Sequence, residues 1–167
     1  PPTAHVLASA HDMGREWRII SGLDGSPVPV PTPFAFCSDH AVTGADFYVM
    51  GFVDGFILRD PAGAATLSQA EIDTATDSLI DVQVALHALD PETVGLGDLG
   101  RPTGYVERQL ARWRKQYEAG KVREVPLLED LHERLGARVP KEQRPGVLAH
   151  GDYRFDNTVL GPDRRVI

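Results

Sequence analysis

The chain has 167 residues, enough for one ordinary domain or for parts of two lobes, and at 42% apolar and 25% charged residues it is too apolar for a disordered segment. Its net charge of −7 argues against a nucleic-acid binder that works through a basic surface. No run of about 18 apolar residues is present, so no membrane span is expected.

Cys37 is the single cysteine, which rules out an internal disulfide and points to a reducing, cytoplasmic setting. No signal-peptide pattern opens the chain. It begins Pro1-Pro2 rather than with Met, which predicts a segment of a longer protein.

Along the chain, "SAHDMGREWRIISGL" (residues 9–23) reads as a helix, with Met13, Trp17 and Ile20 forming one apolar stripe and Glu16 beside it. The alternating prolines of "SPVPVPTP" permit neither helix nor central strand, so an extended connector follows. "FAFC" and "FYVMGFV", at 34–37 and 47–53, are rich in aromatic and β-branched residues and predict a hairpin across a polar loop with Asp39 and Gly44.

The segment "LSQAEIDTATDSLIDVQVALHALDP" is the clearest helix. Ser68 and Glu71 fit a capping box, and Leu67 and Ile72 fit a hydrophobic staple. Ile72, Ala75, Leu79, Val82, Leu86 and Leu89 share one face, and Asp90-Pro91 ends the helix. Two more helices are predicted. The first spans 104–119, with Val106, Leu110, Trp113 and Tyr117 inward. The second spans 125–135, with Leu128, Leu131 and Leu135 inward and Gly136 as its stop. A helix, a hairpin, three helices and a closing pair of short strands make an α+β arrangement.

"GLGDLG" (95–100) matches a dinucleotide fingerprint in letters only. A helix rather than a strand precedes it and Arg101-Pro102 follows, so it reads as a flexible connector. His87 lacks a nucleophile partner and reads as a helix-end histidine.

"VLAHGDYRFDN" is different. Val147 and Leu148 before the loop, and Thr158, Val159 and Leu160 after it, are expected to anchor two short strands. Gly161-Pro162-Asp163 then turns the chain back through Arg165, Val166 and Ile167. Asp152 and Asn157 are spaced as in phosphoryl transfer, where a carboxylate orients a hydroxyl and an amide oxygen binds Mg2+. Two rival readings stay open on spacing alone: a polar turn whose Asp and Asn cap backbone groups, and a hydrolase metal site using His150 and Asp152.

"LAHGDYRFDN" resembles the catalytic loop of the aminoglycoside phosphotransferase and choline kinase-like family, which carries H-G-D-x-x-x-x-N where protein kinases carry H-R-D-x-x-x-x-N. "AHDMGREWRIISGL", "VPVPTPFAFCSD", "FYVMGFVDG" and "LHALDP" extend the resemblance over essentially the whole chain. In style they are similar to the phosphotransferase domains associated with acyl-CoA dehydrogenases.

The resemblance implies a protein-kinase-like α+β fold. A partial nucleotide-binding lobe and hinge would span residues 1–53, and a partial helical lobe with the catalytic loop would span 54–167. It implies ATP and Mg2+ as cofactors and transfer of the γ-phosphoryl group to a hydroxyl of a small molecule, with no nucleic-acid or membrane partner. Asp152 would be the catalytic base, Asn157 a Mg2+ ligand, and His150 a structural member of the loop. Glu16 would pair with the nucleotide-binding lysine or its substitute. Met50, Gly51, Phe52 and Val53 would form the hinge that meets adenine, and Arg154 would face phosphate or substrate. The family's glycine-rich loop, basic strand residue and second metal-binding aspartate find no match here. An isolated chain of this span is therefore expected to be inactive. A degenerate kinase-like binding or scaffold domain is the alternative.

Overall fold

A computed structural model describes residues 12–101, 103–140 and 146–167, so residues 9–11 of the first expected helix lie outside the described part. The chain divides into two compact units, residues 1–97 with 148–167, and residues 98–147.

In the first unit, helix α1 (Met13–Leu23) starts where the Asp12 carboxylate accepts the backbone N–H of Arg15 at 2.9 Å. Trp17 on this helix stacks against Phe36 and tilts against Tyr48, with ring centroids 6.2 and 6.3 Å apart. Those partners sit opposite one another on strands β1 (Pro33–Cys37) and β2 (Phe47–Met50), an antiparallel pair with an irregularity between Pro33 and Ala35. The loop between them contains a helical turn, α2 (His40–Thr43). Asp39 caps its start and Gly44, at φ 82°, ends it. β2 stops at Met50 rather than at residue 53. The N–H of Gly51 turns to the Thr32 carbonyl at 2.8 Å, and no ladder continues beyond it.

A short helix unmarked in the hydrophobic pattern, α3 (Pro61–Ala64), follows, with Asp60 capping Gly63 at 2.8 Å. Helix α4 (Gln69–Ala88) then begins with the expected capping box between Ser68 and Glu71. Ala75, Ser78 and Leu86 of α4 are buried.

Within the 95–100 segment, the residues next to Gly95 pack against α1. Leu96 is 2% exposed, and a Cβ at Gly22 of α1 would meet the Val94 carbonyl at 2.6 Å. Nothing but glycine lets helix and turn approach so closely.

After the 3-10 turn Phe155–Asn157, the chain forms a tight hairpin. Ile167 N–H donates to Val159 O at 3.0 Å, Gly161 N–H donates to Arg165 O at 2.8 Å, and Arg164 takes φ 65°. Leu160, fully buried, also exchanges both backbone bonds with Phe56 at 2.8 Å. The strand expected before the loop is not formed. Residues 146–150 carry no regular structure and Val147 is 53% exposed, because the pairing partners of this hairpin come from 159–167 and from Phe56.

In the second unit, α5 (Tyr105–Gly120) pairs with α6 (Pro126–Ala137). The Tyr117 hydroxyl accepts the Val125 N–H at 3.1 Å across the turn between them. Gly136 lies inside α6, whose last carbonyls are taken by the N–H of Arg138, so the glycine is not the stop. The faces expected inward are largely open. Trp113 is 59% exposed and Leu131 47%, while Val106, Leu128 and Leu135 are exposed to a similar degree. Among the described residues, no helix is long and apolar enough to cross a membrane.

Candidate active site

The expected site residues fall into two groups and a connector. Asp152, Arg154 and Asn157 converge on one loop, joined to His150. Glu16 lies apart from them on α1, Met50 ends β2, and Gly51, Phe52 and Val53 follow it. Among the described residues, no hydrogen bond joins the Glu16 group to the loop.

Gly151 at φ 86° turns the loop so that the Asp152 N–H meets His150 Nδ1 at 3.3 Å, and the His150 ring tilts against Tyr153 at 5.5 Å. His150 thereby acts on the loop's shape. Among the described residues the buried Tyr153 hydroxyl has no hydrogen-bond partner, and burial pushes its pKa up.

Asn157 reaches back across the 3-10 turn. Its Nδ2 donates to the Asp152 carbonyl at 2.9 Å and to Asp152 Oδ2 at 3.0 Å. Both partners are acceptors only, so the amide nitrogen must face them and Asn157 Oδ1 points away, free to accept. Arg154 Nε lies 2.6 Å from Asp156 Oδ1 and 3.7 Å from Asp152 Oδ1. Asp156 therefore holds the guanidinium more closely than Asp152 does. Asp156 carried no assigned role in the sequence reading, because nothing in the spacing shows which carboxylate takes Arg154.

Beside the loop lies a cavity of about 410 Å3. Its walls include Leu58, Ile72, Ala75 and Phe155, and Arg59, Asp60, Arg154 and Asp156 bring charge to it. The loop is fixed to this surrounding by the hairpin that follows it. Val166 N–H donates to Ser78 Oγ at 2.9 Å, and Arg164 Nε donates to Glu71 Oε1 at 3.0 Å.

Glu16 Oε2 accepts the Tyr48 hydroxyl at 3.2 Å, a contact with no signal in local spacing because the two residues are 32 positions apart. At the hinge, Phe52 is 91% exposed, and the Gly51 N–H is already taken by Thr32. Among the described residues, no group of three His, Cys, Asp or Glu side chains gathers as a metal site, so the hydrolase reading gains no support.

The family model for the phosphotransferase enzyme family matches residues 1–167. Mouse acyl-CoA dehydrogenase family member 10 is 34% identical over 165 residues, covering 98% of this chain and 15% of that protein. Human acyl-CoA dehydrogenase family member 11 is 35% identical over 161 residues, covering 96% of this chain and 20% of that protein. A crystal structure from Ralstonia eutropha JMP134, provisionally named an aminoglycoside phosphotransferase, aligns with a TM-score of 0.82 at 37% identity. It covers 92% of this chain and 47% of that one. The chain thus spans a fifth or less of these curated relatives and under half of the solved neighbour. Its loop, hairpin and helix order are those of an α+β, protein-kinase-like fold, and with these matches the chain belongs to the phosphotransferase enzyme family.

Proposed function

We propose that this chain carries the acceptor-activating part of a small-molecule kinase, which transfers the γ-phosphoryl group of ATP to a hydroxyl with Mg2+. The observation that carries the reading is the pair of hydrogen bonds that Asn157 Nδ2 donates to the Asp152 carbonyl and to Asp152 Oδ2. It locks the carboxylate and turns the amide oxygen outward in one arrangement.

Asp152 Oδ1 accepts the proton of the acceptor hydroxyl. With ATP bound, the acceptor oxygen would bond to the γ-phosphorus as the bond to the ADP oxygen breaks. Arg154, held closer to Asp156 at 2.6 Å than to Asp152 Oδ1 at 3.7 Å, stands beside the cavity where the acceptor enters. The mainly apolar walls there exclude water from the non-reacting part of the acceptor.

Asn157 Oδ1 suits Mg2+, a hard cation that takes few protein ligands and completes its shell with phosphate oxygens and water. Bound Mg2+ and ATP supply charge neutralisation on the phosphates and the group to be transferred. The backbone of Met50–Val53 would hold adenine, and Glu16 would steady the basic group on the phosphates. The enzyme is cytoplasmic and works on a small molecule, without nucleic acid or membrane as partner.

The test is Asp152→Ala in the intact enzyme. kcat should fall by about 10²–10⁴ with the KM for ATP little changed, since Asp152 acts on the hydroxyl and not on the nucleotide. An unimpaired variant would sink the assignment. ATP binding without any turnover in the unaltered protein would favour a binding or scaffold domain instead.

A further inference from the structure

Tyr48 had no role in the sequence, yet it makes a side-chain contact to Glu16, the residue proposed to steady the basic group on the nucleotide. We infer that Tyr48 is a positioning residue for phosphoryl transfer: its hydroxyl fixes one carboxylate oxygen of Glu16 and leaves the other for the cation that steadies the phosphates. The inference rests on the proposed role of Glu16.

Three features make the contact a fixed one. Tyr48 lies in β2 directly opposite Phe36, so its backbone is held by the ladder. Its ring packs on Trp17, the residue next to Glu16 on α1, so strand and helix are joined by a ring contact beside the hydrogen bond. Burial first, and the Glu16 carboxylate second, raise the Tyr48 pKa, so at neutral pH the phenol is protonated and donates.

Glu16 is otherwise an exposed side chain on a helix, with several rotamers open to it. A cation on the phosphates needs its counter-charge held to about half an ångström, and a single hydroxyl on one oxygen supplies that restraint. The 3.2 Å separation is long for O–H···O. Such bonds in ligand-free sites tighten when the bound state forms.

β2 also ends in the hinge. Tyr48 therefore links the segment proposed to meet adenine with the carboxylate proposed to serve the phosphates. A residue so placed should affect the nucleotide and not the acceptor.

The experiment is a double-mutant cycle in the intact enzyme, with steady-state kinetics in ATP and in acceptor, and a thermal midpoint for each variant. Tyr48→Phe keeps the ring contact and removes only the hydroxyl. It should lower kcat/KM for ATP about tenfold with the acceptor KM unchanged, and change it less than about twofold in the Glu16→Ala background. Equal losses in both backgrounds would show Tyr48 acting through sheet packing, and no loss at all would show the hydroxyl idle. Either result overturns the inference while leaving Glu16's role standing. An unimpaired Glu16→Ala enzyme overturns that role and the inference with it.

Discussion

At the residue scale, the loop works because each polar group limits the next. Asn157 can satisfy the Asp152 carbonyl and Oδ2 together only with its nitrogen, so its own oxygen is oriented without help from a ligand. Asn157→Ala in the intact enzyme removes that oxygen and frees the carboxylate. Activity plotted against Mg2+ concentration should shift to higher Mg2+, and superimposable curves would make Asn157 a turn residue only.

A second residue-scale prediction concerns Gly55. A Cβ there would lie 2.5 Å from Val159 Cγ1 and 2.6 Å from the Leu160 carbonyl. The carbonyl is bound to the Phe56 N–H and cannot yield without breaking that pair. Gly55→Ala should cost about 1–3 kcal/mol by urea denaturation, as overpacking does elsewhere. It should also lower kcat, since the strand it displaces begins just past Asn157. An unchanged urea midpoint would mean that the hairpin shifts freely.

At the scale of elements, α4 carries the hairpin that follows the loop at 150–157, and Glu71 is their joint. It closes the capping box with Ser68 and accepts Arg164 from the hairpin. Arg164 also lies over the Phe56 ring, 5.4 Å from its centroid. The Ser68 backbone N–H, the Ser68 hydroxyl and then Arg164 hold the Glu71 carboxyl down at about 2 against an ordinary 4.5.

A depressed carboxylate gives stability that is fully present above its unfolded value and is lost as pH falls through the folded one. Stability should therefore drop between about pH 4.5 and 2. Glu71→Gln should flatten that limb of a plot of urea midpoint against pH, and a limb of unchanged slope would place the acid sensitivity elsewhere. Ser68→Ala, which removes the cap itself, should cost about 1 kcal/mol at neutral pH.

At the scale of the whole molecule, the two units differ in how they are closed. The first has buried centres at Leu23, Val28, Ala75, Leu86, Leu96 and Leu160. In the second, the apolar faces of α5 and α6 meet in a groove lined by Leu110, Trp113, Tyr117, Leu128, Leu131 and Leu135, and no described residue there is fully buried. Ion pairs support that pairing at its rim, with Arg114 between Glu118 and Glu129 and Lys121 between Glu118 and Glu124. Exposed pairs of this kind contribute little each. Residues 1–167 by themselves should therefore bind a hydrophobic dye at this groove, and Leu131→Lys should remove most of the fluorescence gain. An equal signal from the variant would place the dye site elsewhere.

The sequence alone determined what depends on near neighbours. The capping box, the long amphipathic helix and the antiparallel hairpin follow from caps, periodicity and β-rich runs, and all three are present. The contacts within the 150–157 loop were legible for the same reason, because His150, Asp152 and Asn157 are close in the chain and their spacing suffices to bring them together. Periodicity also marked the right faces of α5 and α6, but an apolar stripe says nothing of what covers it. Only the tertiary structure decided pairs that the packing of elements creates. Arg164 meets Glu71 across 93 positions, and Tyr48 meets Glu16 across 32. Gly22 and Gly55 are needed because another backbone passes within van der Waals reach, a condition set by where α1 and the last hairpin come to rest. Local interactions repeat every few residues and leave a pattern in the sequence. Long-range contacts form only after helices and strands have docked, so their partners carry no mark until the fold exists.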